Sequence, residues 1–580
     1  MQTQQVQITL LATADVHGRF LPYSYAADAP DDSGSLAQIA TVVRRVREQE
    51  QHVLLLDAGD AIQDNFCERF VHCAQNPMVE AMNAMGTEIW VMGNHEFNFD
   101  APTRKRCIQA FSGMALCGNV YHADGTRDLP ASFVWTCAGV RIGFIGVTTP
   151  LIAAFEDSSG TLDGFVVQSA VEEVRAAIAQ LKPRCDAIVG ILHMGVENEN
   201  GVAGTGVRDT ISACPGMDVV VAAHMHERIG QLWIDDTLVT EPYKNGMAVS
   251  RIDLQFVRTA QRVVLENKRA SLIDVRQVPP DEALVEQLQP FHMHLRELVG
   301  EPVGGLYGGD LTPPDDVPGI SSLHTQATAL FALFHEVATY YGDAQVSAFC
   351  TDCEHPHFVQ GPIRLRDIAY HYTYTDGDVT TYRMTGADLR AYMEWSAGYF
   401  AQMREEDVLV SYDPVRRAKK YSTNDLFGGV RYEVDVTKRP GQRIGRLRFL
   451  DGRPIADDTP VWIAMNSYRM NSLRKPGEIF AGKWFPWTFY SLGAFGETDG
   501  TLRNLIARYI REVKDGVILP NMDRNWRMIG WNAQSTTVQD AVRLLKTGEL
   551  HLHNSADGTA TNIAPITRED VKQALLRERR

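Results

Sequence analysis

The sequence predicts an α/β fold over its first ~255 residues and a looser α+β arrangement after them. Two patterns support this. Short apolar runs rich in β-branched residues alternate with segments whose apolar residues recur every three or four positions. The runs are also apolar on both faces, as strands covered on both sides are.

Taken in order, the strand-like runs are Ile8–Thr13, Val53–Leu56, Ile89–Met92, Ile142–Val147, Ala187–Leu192 and Val219–Ala223. Helix-period segments such as Leu36–Glu50 and Ala170–Leu181 lie between them. Residues ~256–300 change character: after Pro279-Pro280, Ala283–Leu298 reads as a polar helix with apolar spacing, a connector. From ~301 to ~530, helical patterns are predicted at Ser321–Tyr340, Gly386–Gln402 and Thr501–Lys514, with strands at Val430–Val436 and Val461–Met465. Gly428-Gly429 and Pro440-Gly441 punctuate the strands as turns. The tail, 531–580, has one amphipathic stretch, Thr537–Lys546. The expected division is therefore 1–255, 256–300, 301–530 and 531–580.

Composition narrows the function classes. A hydrophobic share of 44% with 22% charged residues is ordinary globular usage, which excludes a disordered, collagen-like or coiled-coil chain. The net charge of −16 offers no general electrostatic footprint for duplex DNA or an anionic membrane. A small phosphate-bearing ligand is compatible with it if a local cation, usually a metal, offsets the field. No apolar run reaches the ~18 residues of a membrane span. The N-terminal Met1–Gln7 lacks the basic and apolar regions of a secretory signal, so the expected address is cytoplasmic unless a leader has been removed. Nine scattered cysteines do not form a disulfide framework, and Cys350-Thr-Asp-Cys353 is a lone pair without a second metal-ligand motif.

The chemistry lies where polar residues follow the apolar runs. Asp15-Val-His17 follows the first run, Asp57-Ala-Gly-Asp60 the second and Gly93-Asn94-His95-Glu96 the third. His193 ends the fifth, and His224-Met-His226 ends the sixth. Ligands of layered α/β folds bind beyond the carboxyl ends of the strands. Any one Asp there is commonly a turn or cap, and a lone His is commonly a packed residue. Five strand ends that together carry Asp, Asn and His instead match the donor set of a hard or borderline divalent metal. In an extended segment, residues i and i+2 point the same way, so Asp15 and His17, or His224 and His226, can address one site. There are more donors than one tetrahedral ion uses, and Asp60 is placed to bridge two. Two ions about 3.5–4 Å apart form a clamp for in-line attack of hydroxide on phosphorus. His95 is left over as a general acid or charge stabiliser at the leaving oxygen.

This ordered set, Asp-x-His, Gly-Asp, Gly-Asn-His-Glu, His and His-x-His, resembles the calcineurin-like metallophosphoesterases. The resemblance implies a four-layer α/β/β/α sandwich and two divalent ions, Mn, Zn, Fe or similar. It implies that one ion is held by Asp15, His17, Asp60 and His226, and the other by Asp60, Asn94, His193 and His224, with His95 contacting phosphate. Phe427–Gly441, Met384–Ala397 and Asn466-Ser-Tyr-Arg469 resemble the C-terminal domain of the 5′-nucleotidase family. That part of the resemblance implies a nucleotide as the small-molecule partner, with its base held between two aromatic rings. Tyr421 is the candidate for one ring and Phe485 for the other, with Phe480 and Trp487 as alternatives.

Three departures refine the expectation. Asn98 stands where 5′-nucleotidases carry Asp, and Gly93-Asn-His-Glu-Phe-Asn-Phe99 is closer to the 2′,3′-cyclic-nucleotide 2′-phosphodiesterase/3′-nucleotidase branch. Thr351–His357 replaces an Arg-bearing phosphate loop, and Arg364 is not assigned to phosphate. Asn471-Ser472 replaces a Gly-Gly pair. Together these point to 2′,3′-cyclic and 3′-nucleotides as substrates, with 5′-nucleotides or other small phosphoesters as the alternative. A non-catalytic nucleotide-binding module is the rival from another class.

Overall fold

The computed structural model describes residues 4–578 except 157–159, 200–201, 260, 376, 497, 522–523, 557 and 559. The chain folds as two compact units, Met1–Val299 and Gly300–Arg580.

The first unit is built on two six-stranded sheets. The strands of these two sheets, in chain order, are β1 (Gln4–Thr13), β2 (Val53–Asp57), β3 (Thr87–Val91), β4 (Met114–Leu116), β5 (Ser132–Cys137), β6 (Val140–Thr148), β7 (Ala187–His193), β8 (Val219–Ala222), β9 (Arg228–Ile234), β10 (Thr237–Pro242), β11 (Ala248–Arg258) and β12 (Val263–Asp274). One sheet runs β12-β11-β1-β2-β3-β4 and the other β9-β10-β8-β7-β6-β5. All six expected runs are strands, and β1-β2-β3-β4 and β6-β7-β8-β10 pair in parallel.

Alternate residues of both sheets fill one continuous core. Ile8, Leu10 and Ala12 of β1 and Leu54 and Leu56 of β2 meet Ile142 and Phe144 of β6 and Val189 and Ile191 of β7. The outer face of the second sheet, with Ile188, Leu192 and Val220, packs on Val174 and Ile178 of the helix Ala170–Leu181. Helices Leu36–Gln49 and Pro77–Met85 stand on the first sheet. This is the layered α/β/β/α arrangement. The helices begin where their caps require it: Ser35 accepts from the Gln38 N–H and Ser169 from the Glu172 N–H. Residues 256–300 supply the end of β11, the edge strand β12 and the helix Glu282–Gly300. β12 alternates half-buried and exposed residues, such as Glu266, Lys268 and Arg269, which suits an edge strand that must not pair further.

In the second unit, a five-stranded sheet runs Leu426–Gly428, Val346–Phe349, Pro460–Met465, Thr380–Thr385, Trp487–Tyr490. Helix Ala329–Gly342 packs against it. The helix predicted over Ser321–Tyr340 begins later, at Ala329. Thr328 caps it there, and Ser322–His324 forms a separate 3₁₀ turn. The helix predicted over Gly386–Gln402 stops at Ala397, next to Gly398. Among the described residues, no helix is long and apolar enough to cross a membrane.

Candidate metal centre

The carboxyl ends of β1, β2, β3, β7 and β8 lie along one edge, and their following residues converge. Asp15, His17 and His226 present donor atoms within 4.8 Å of one another, as do Asp60, His193 and His224. Asn94 joins the second group: its Oδ1 lies 3.1 Å from His193 Nε2 and 2.6 Å from His224 Nδ1. Asp15, His17, Asp60, Asn94 and His193 are buried, whereas His95, His224 and His226 are partly exposed.

The way the backbone brings them together differs from the extended i, i+2 alternation expected from sequence. Asp15, His17, Asp60, His224 and His226 all sit in the left-handed region, with φ between 49° and 75°. For a non-glycine residue this conformation costs on the order of 1–3 kcal/mol. Backbone bonds between the strand-end loops hold it in place. Asp15 N–H donates to Gly59 O at 2.9 Å, His17 N–H to Asp60 O at 3.0 Å, and Asn245 N–H to Asp15 O at 2.7 Å. The result is that His224 and His226 go to different groups, His224 to Asp60 and His193, and His226 to Asp15 and His17.

Glu96, quoted in the sequence motif without a role, ties two of these loops. Its carboxylate accepts from the backbone N–H of Asp60, Ala61 and Gly93 at 2.9, 2.8 and 2.7 Å. Asp60 in turn divides its oxygens, Oδ1 accepting from His95 N–H at 2.8 Å and Oδ2 lying 3.2 Å from His193 Nε2.

The donor chemistry fits cations. His193 Nδ1 is 2.7 Å from Ala58 O, so it carries the proton and Nε2 keeps a lone pair. That lone pair faces Asp60 Oδ2 and Asn94 Oδ1, three electron-rich atoms around one point. Without a metal the arrangement needs a proton. Burial opposes charge on His193, yet the Asp60 carboxylate holds its imidazole well above the ordinary value. In the other group, His17 and His226 bring their Nε2 atoms to 3.0 Å of each other. Burial pushes His17 down to about 3 and His226 down to about 2, so both are neutral at physiological pH, the form in which imidazole can bind a metal. Burial also pushes the Asp15 carboxyl up to about 8. A cation would take the place of that proton. Among the described residues, His17 Nδ1 is buried without a hydrogen-bond partner.

A supporting shell surrounds the donors. Glu199 Oε2 lies 3.3 Å from His224 Nε2 and accepts from Thr149 Oγ1 at 3.2 Å. His95 stands beside the first group, its ring centroid 5.3 Å from that of His17 and its Nδ1 2.6 Å from Asn98 Oδ1. Glu199 and Thr149 carried no signal in the sequence, since neither immediately follows a strand-ending ligand.

The two ring candidates lie in the second unit and are not open platforms. Tyr421 is 2% exposed. His324 stacks on it with centroids 3.7 Å apart and planes 9° apart, and the Arg417 guanidinium lies 4.3 Å from the ring centre. Its faces are thus covered from within the unit. Phe485 is buried against Phe480, with ring centroids 4.9 Å apart. Stacking a base on either ring would first require displacing these neighbours. Of the three alternatives for the second ring, Trp487 is the exposed one, at 54% on the edge strand Trp487–Tyr490.

Comparison with known proteins agrees with this geometry. Residues 8–228 match the family model of calcineurin-like phosphoesterases, and residues 312–475 match that of the 5′-nucleotidase C-terminal domain. The chain is 24% identical to a 2′,3′-cyclic-nucleotide 2′-phosphodiesterase/3′-nucleotidase of Haemophilus influenzae, over 90% of this chain and 88% of that protein. It is 23% identical to a trifunctional nucleotide phosphoesterase protein of Bacillus subtilis, over 93% of this chain but only 40% of that longer protein. A solved structure from Staphylococcus aureus, assigned as a 5′-nucleotidase, shares the fold with a TM-score of 0.74 at 20% identity, covering 90% of this chain and all of that one. The chain thus carries a calcineurin-like phosphoesterase domain followed by a 5′-nucleotidase C-terminal domain.

Proposed function

We propose that this chain hydrolyses nucleotide phosphoesters at a pair of divalent cations, with 2′,3′-cyclic nucleotides and 3′-nucleotides as preferred substrates. The observation that carries the reading is the convergence of metal-ligand atoms in two groups: His193 Nε2, Asp60 Oδ2 and Asn94 Oδ1 on one side, and Asp15, His17 and His226 on the other. Asp15, His17 and His226 would hold one cation and Asn94, His193 and His224 the other, with Asp60 between them. When bound, such a pair lowers the pKa of water and neutralises phosphate charge during in-line displacement.

The chain's own groups do the rest. His95 is anchored at its backbone by Asp60 and at Nδ1 by Asn98, and Nε2 would be the atom that meets a leaving oxygen. The left-handed residues are fixed in the folded chain, so the donors need no rearrangement when substrate arrives. The preference for cyclic and 3′-nucleotides draws on Asn98 and on the Haemophilus influenzae relative, which aligns over nearly the whole chain. The second reading, hydrolysis of 5′-nucleotides, draws on the C-terminal domain matched by residues 312–475.

The test is turnover of 2′,3′-cyclic AMP, 3′-AMP, 5′-AMP and bis-p-nitrophenyl phosphate by EDTA-stripped protein before and after addition of Mn²⁺. The expected result is metal-dependent turnover with cyclic AMP and 3′-AMP ahead. A clear lead for 5′-AMP would select the second reading. Metal binding without turnover of any of the four would indicate a non-catalytic nucleotide-binding module.

A further inference from the structure

Strand β6 (Val140–Thr148) reaches the ligand-bearing edge, yet none of the candidate donors follows it. The segment after it instead touches the residues that the donors lean on. Thr149 Oγ1 donates to Glu199, and the Phe155 ring stacks on His224 with centroids 6.1 Å apart and planes 26° apart. Glu156 caps the short helix Ile152–Phe155 and is 9% exposed. Its Oε1 accepts from Asn98 Nδ2 at 2.7 Å, and its Oε2 accepts from Thr161 Oγ1 at 3.2 Å. Asn98 Oδ1 is 2.6 Å from His95 Nδ1.

We propose that Glu156 is a positioning residue for His95, acting through Asn98. An amide presents a donor at one end and an acceptor at the other, and its two ends have almost the same shape. Alone, Asn98 can face His95 with either. A carboxylate only accepts, so the end of Asn98 that meets Glu156 must be the NH₂ group. The carbonyl oxygen is thereby turned to His95, and Nδ1 must carry a hydrogen. Nδ1 is thereby committed to Asn98, and the ring is held in one orientation. With the amide reversed, its NH₂ group would oppose Nδ1–H, and the ring would lose the partner that holds it. Thr161 fixes the far oxygen of Glu156, so the chain Thr161–Glu156–Asn98–His95 runs in one direction.

The inference rests on the reading of His95 as the group at the leaving oxygen, and the experiment separates the two. The full metal-loaded chain is assayed on 3′-AMP, whose ribose leaving oxygen needs a proton, and on p-nitrophenyl phosphate, whose leaving group does not. In Glu156→Ala the ratio of kcat on 3′-AMP to kcat on p-nitrophenyl phosphate should fall about tenfold, part of the 10²–10⁴ that a positioned proton-transfer group contributes. Metal content should match the parent. Glu156→Gln, which keeps the shape but can run its amide either way, should lose less and serves if the alanine variant does not fold. Asn98→Asp alone should lower the ratio, because two carboxylates then face each other across a 2.7 Å contact. The double variant Asn98→Asp/Glu156→Gln restores an acceptor toward His95 and a donor behind it, and should recover most of the ratio. If Glu156→Ala keeps the parental ratio while His95→Ala loses it, Glu156 has no positioning role and the functional reading stands. If His95→Ala itself keeps the ratio, or the metal-loaded parent cleaves neither compound, the functional reading falls and the inference with it.

Discussion

Glu199 Oε2 lies 3.3 Å from His224 Nε2, while His224 Nδ1 faces Asn94 Oδ1 at 2.6 Å. With a cation at the centre, Nδ1 would turn its lone pair inward and the Nε2 hydrogen would face the Glu199 carboxylate. His193 is already arranged in that way with its nitrogens exchanged: Nδ1–H goes to the Ala58 carbonyl, 2.7 Å away, and Nε2 faces Asp60. Each ring thus has an acceptor on its far side, the kind of outer partner that orients a metal-binding imidazole.

Weakening that outer partner should weaken the metal without unmaking the fold. Glu199→Gln keeps an oxygen for His224 Nε2–H but removes the carboxylate. Affinity of the EDTA-stripped protein for Mn²⁺ should fall tenfold to a hundredfold, about the range for outer-shell changes. Isothermal titration is the measurement, and an affinity within twofold of the parent would count against the assigned role.

Asp60 and His95 should separate binding from turnover. Asp60 is the carboxylate proposed to lie between the two cations, so Asp60→Ala should lose bound metal and activity together. His95 donates its backbone N–H to Asp60, a bond that alanine keeps, so His95→Ala should keep its metal while kcat on 3′-AMP falls by about 10²–10⁴. Metal analysis of the purified variants beside steady-state kinetics decides the matter. A metal-replete His95→Ala protein with parental turnover would remove His95 from the chemistry.

The parts of this centre legible in the sequence are those that follow directly from a strand end. A buried strand shows itself as an apolar run, and the residue types after β1, β2, β3, β7 and β8 then identify the donors. Glu199 and Glu156 were not legible, because each meets the centre through a loop whose path no local pattern encodes, and Thr149, though it follows β6 directly, is not a metal-ligand residue type. The left-handed backbone at Asp15, His17, Asp60, His224 and His226 was equally hidden, since Asp and His carry no signature for it as glycine does. β12 escaped notice for a different reason: as an edge strand its exposed positions are charged, which reads as a linker. The packing of Tyr421 was hidden as well, because His324, which stacks on its ring, is distant in sequence.

Glu241 gives a pH dependence with a definite sign. It is fully buried, and Glu227 N–H donates to Oε1 at 2.7 Å. Burial raises its carboxyl from an ordinary 4.5 to about 9. Between those values the folded chain holds a proton that the unfolded chain has released, so stability falls as pH rises through this window. One proton sets a limit of about 1.4 kcal/mol per pH unit. Glu241→Gln, which mimics the protonated form, removes the effect. In EDTA-stripped protein its Tm should exceed the parent's more at pH 8 than at pH 5. An equal difference at the two pH values would show that Glu241 titrates alike in both states.

Gly93 tests how tightly the centre is enclosed. A Cβ placed there would lie 2.2 Å from Asp60 Oδ1 and 2.6 Å from His193 Cε1, distances that nonbonded atoms do not reach. Neither neighbour can yield cheaply: Asp60 Oδ1 holds the His95 N–H, and His193 is pinned through Nδ1. Gly93→Ala should therefore cost about 1–3 kcal/mol of stability, the usual range for overpacking. It should also abolish Mn²⁺-dependent turnover by moving Asp60 off the donors. Gly230 in β9 is the matched control, because a Cβ there meets only ordinary contacts, the nearest being Leu272 N at 3.8 Å. Gly230→Ala should stay within about 0.5 kcal/mol of the parent, as surface changes usually do, and keep its metal. Urea unfolding together with metal analysis measures both effects. A Gly93→Ala protein that retains parental metal affinity would mean that Asp60 and His193 are less firmly fixed than their hydrogen bonds imply.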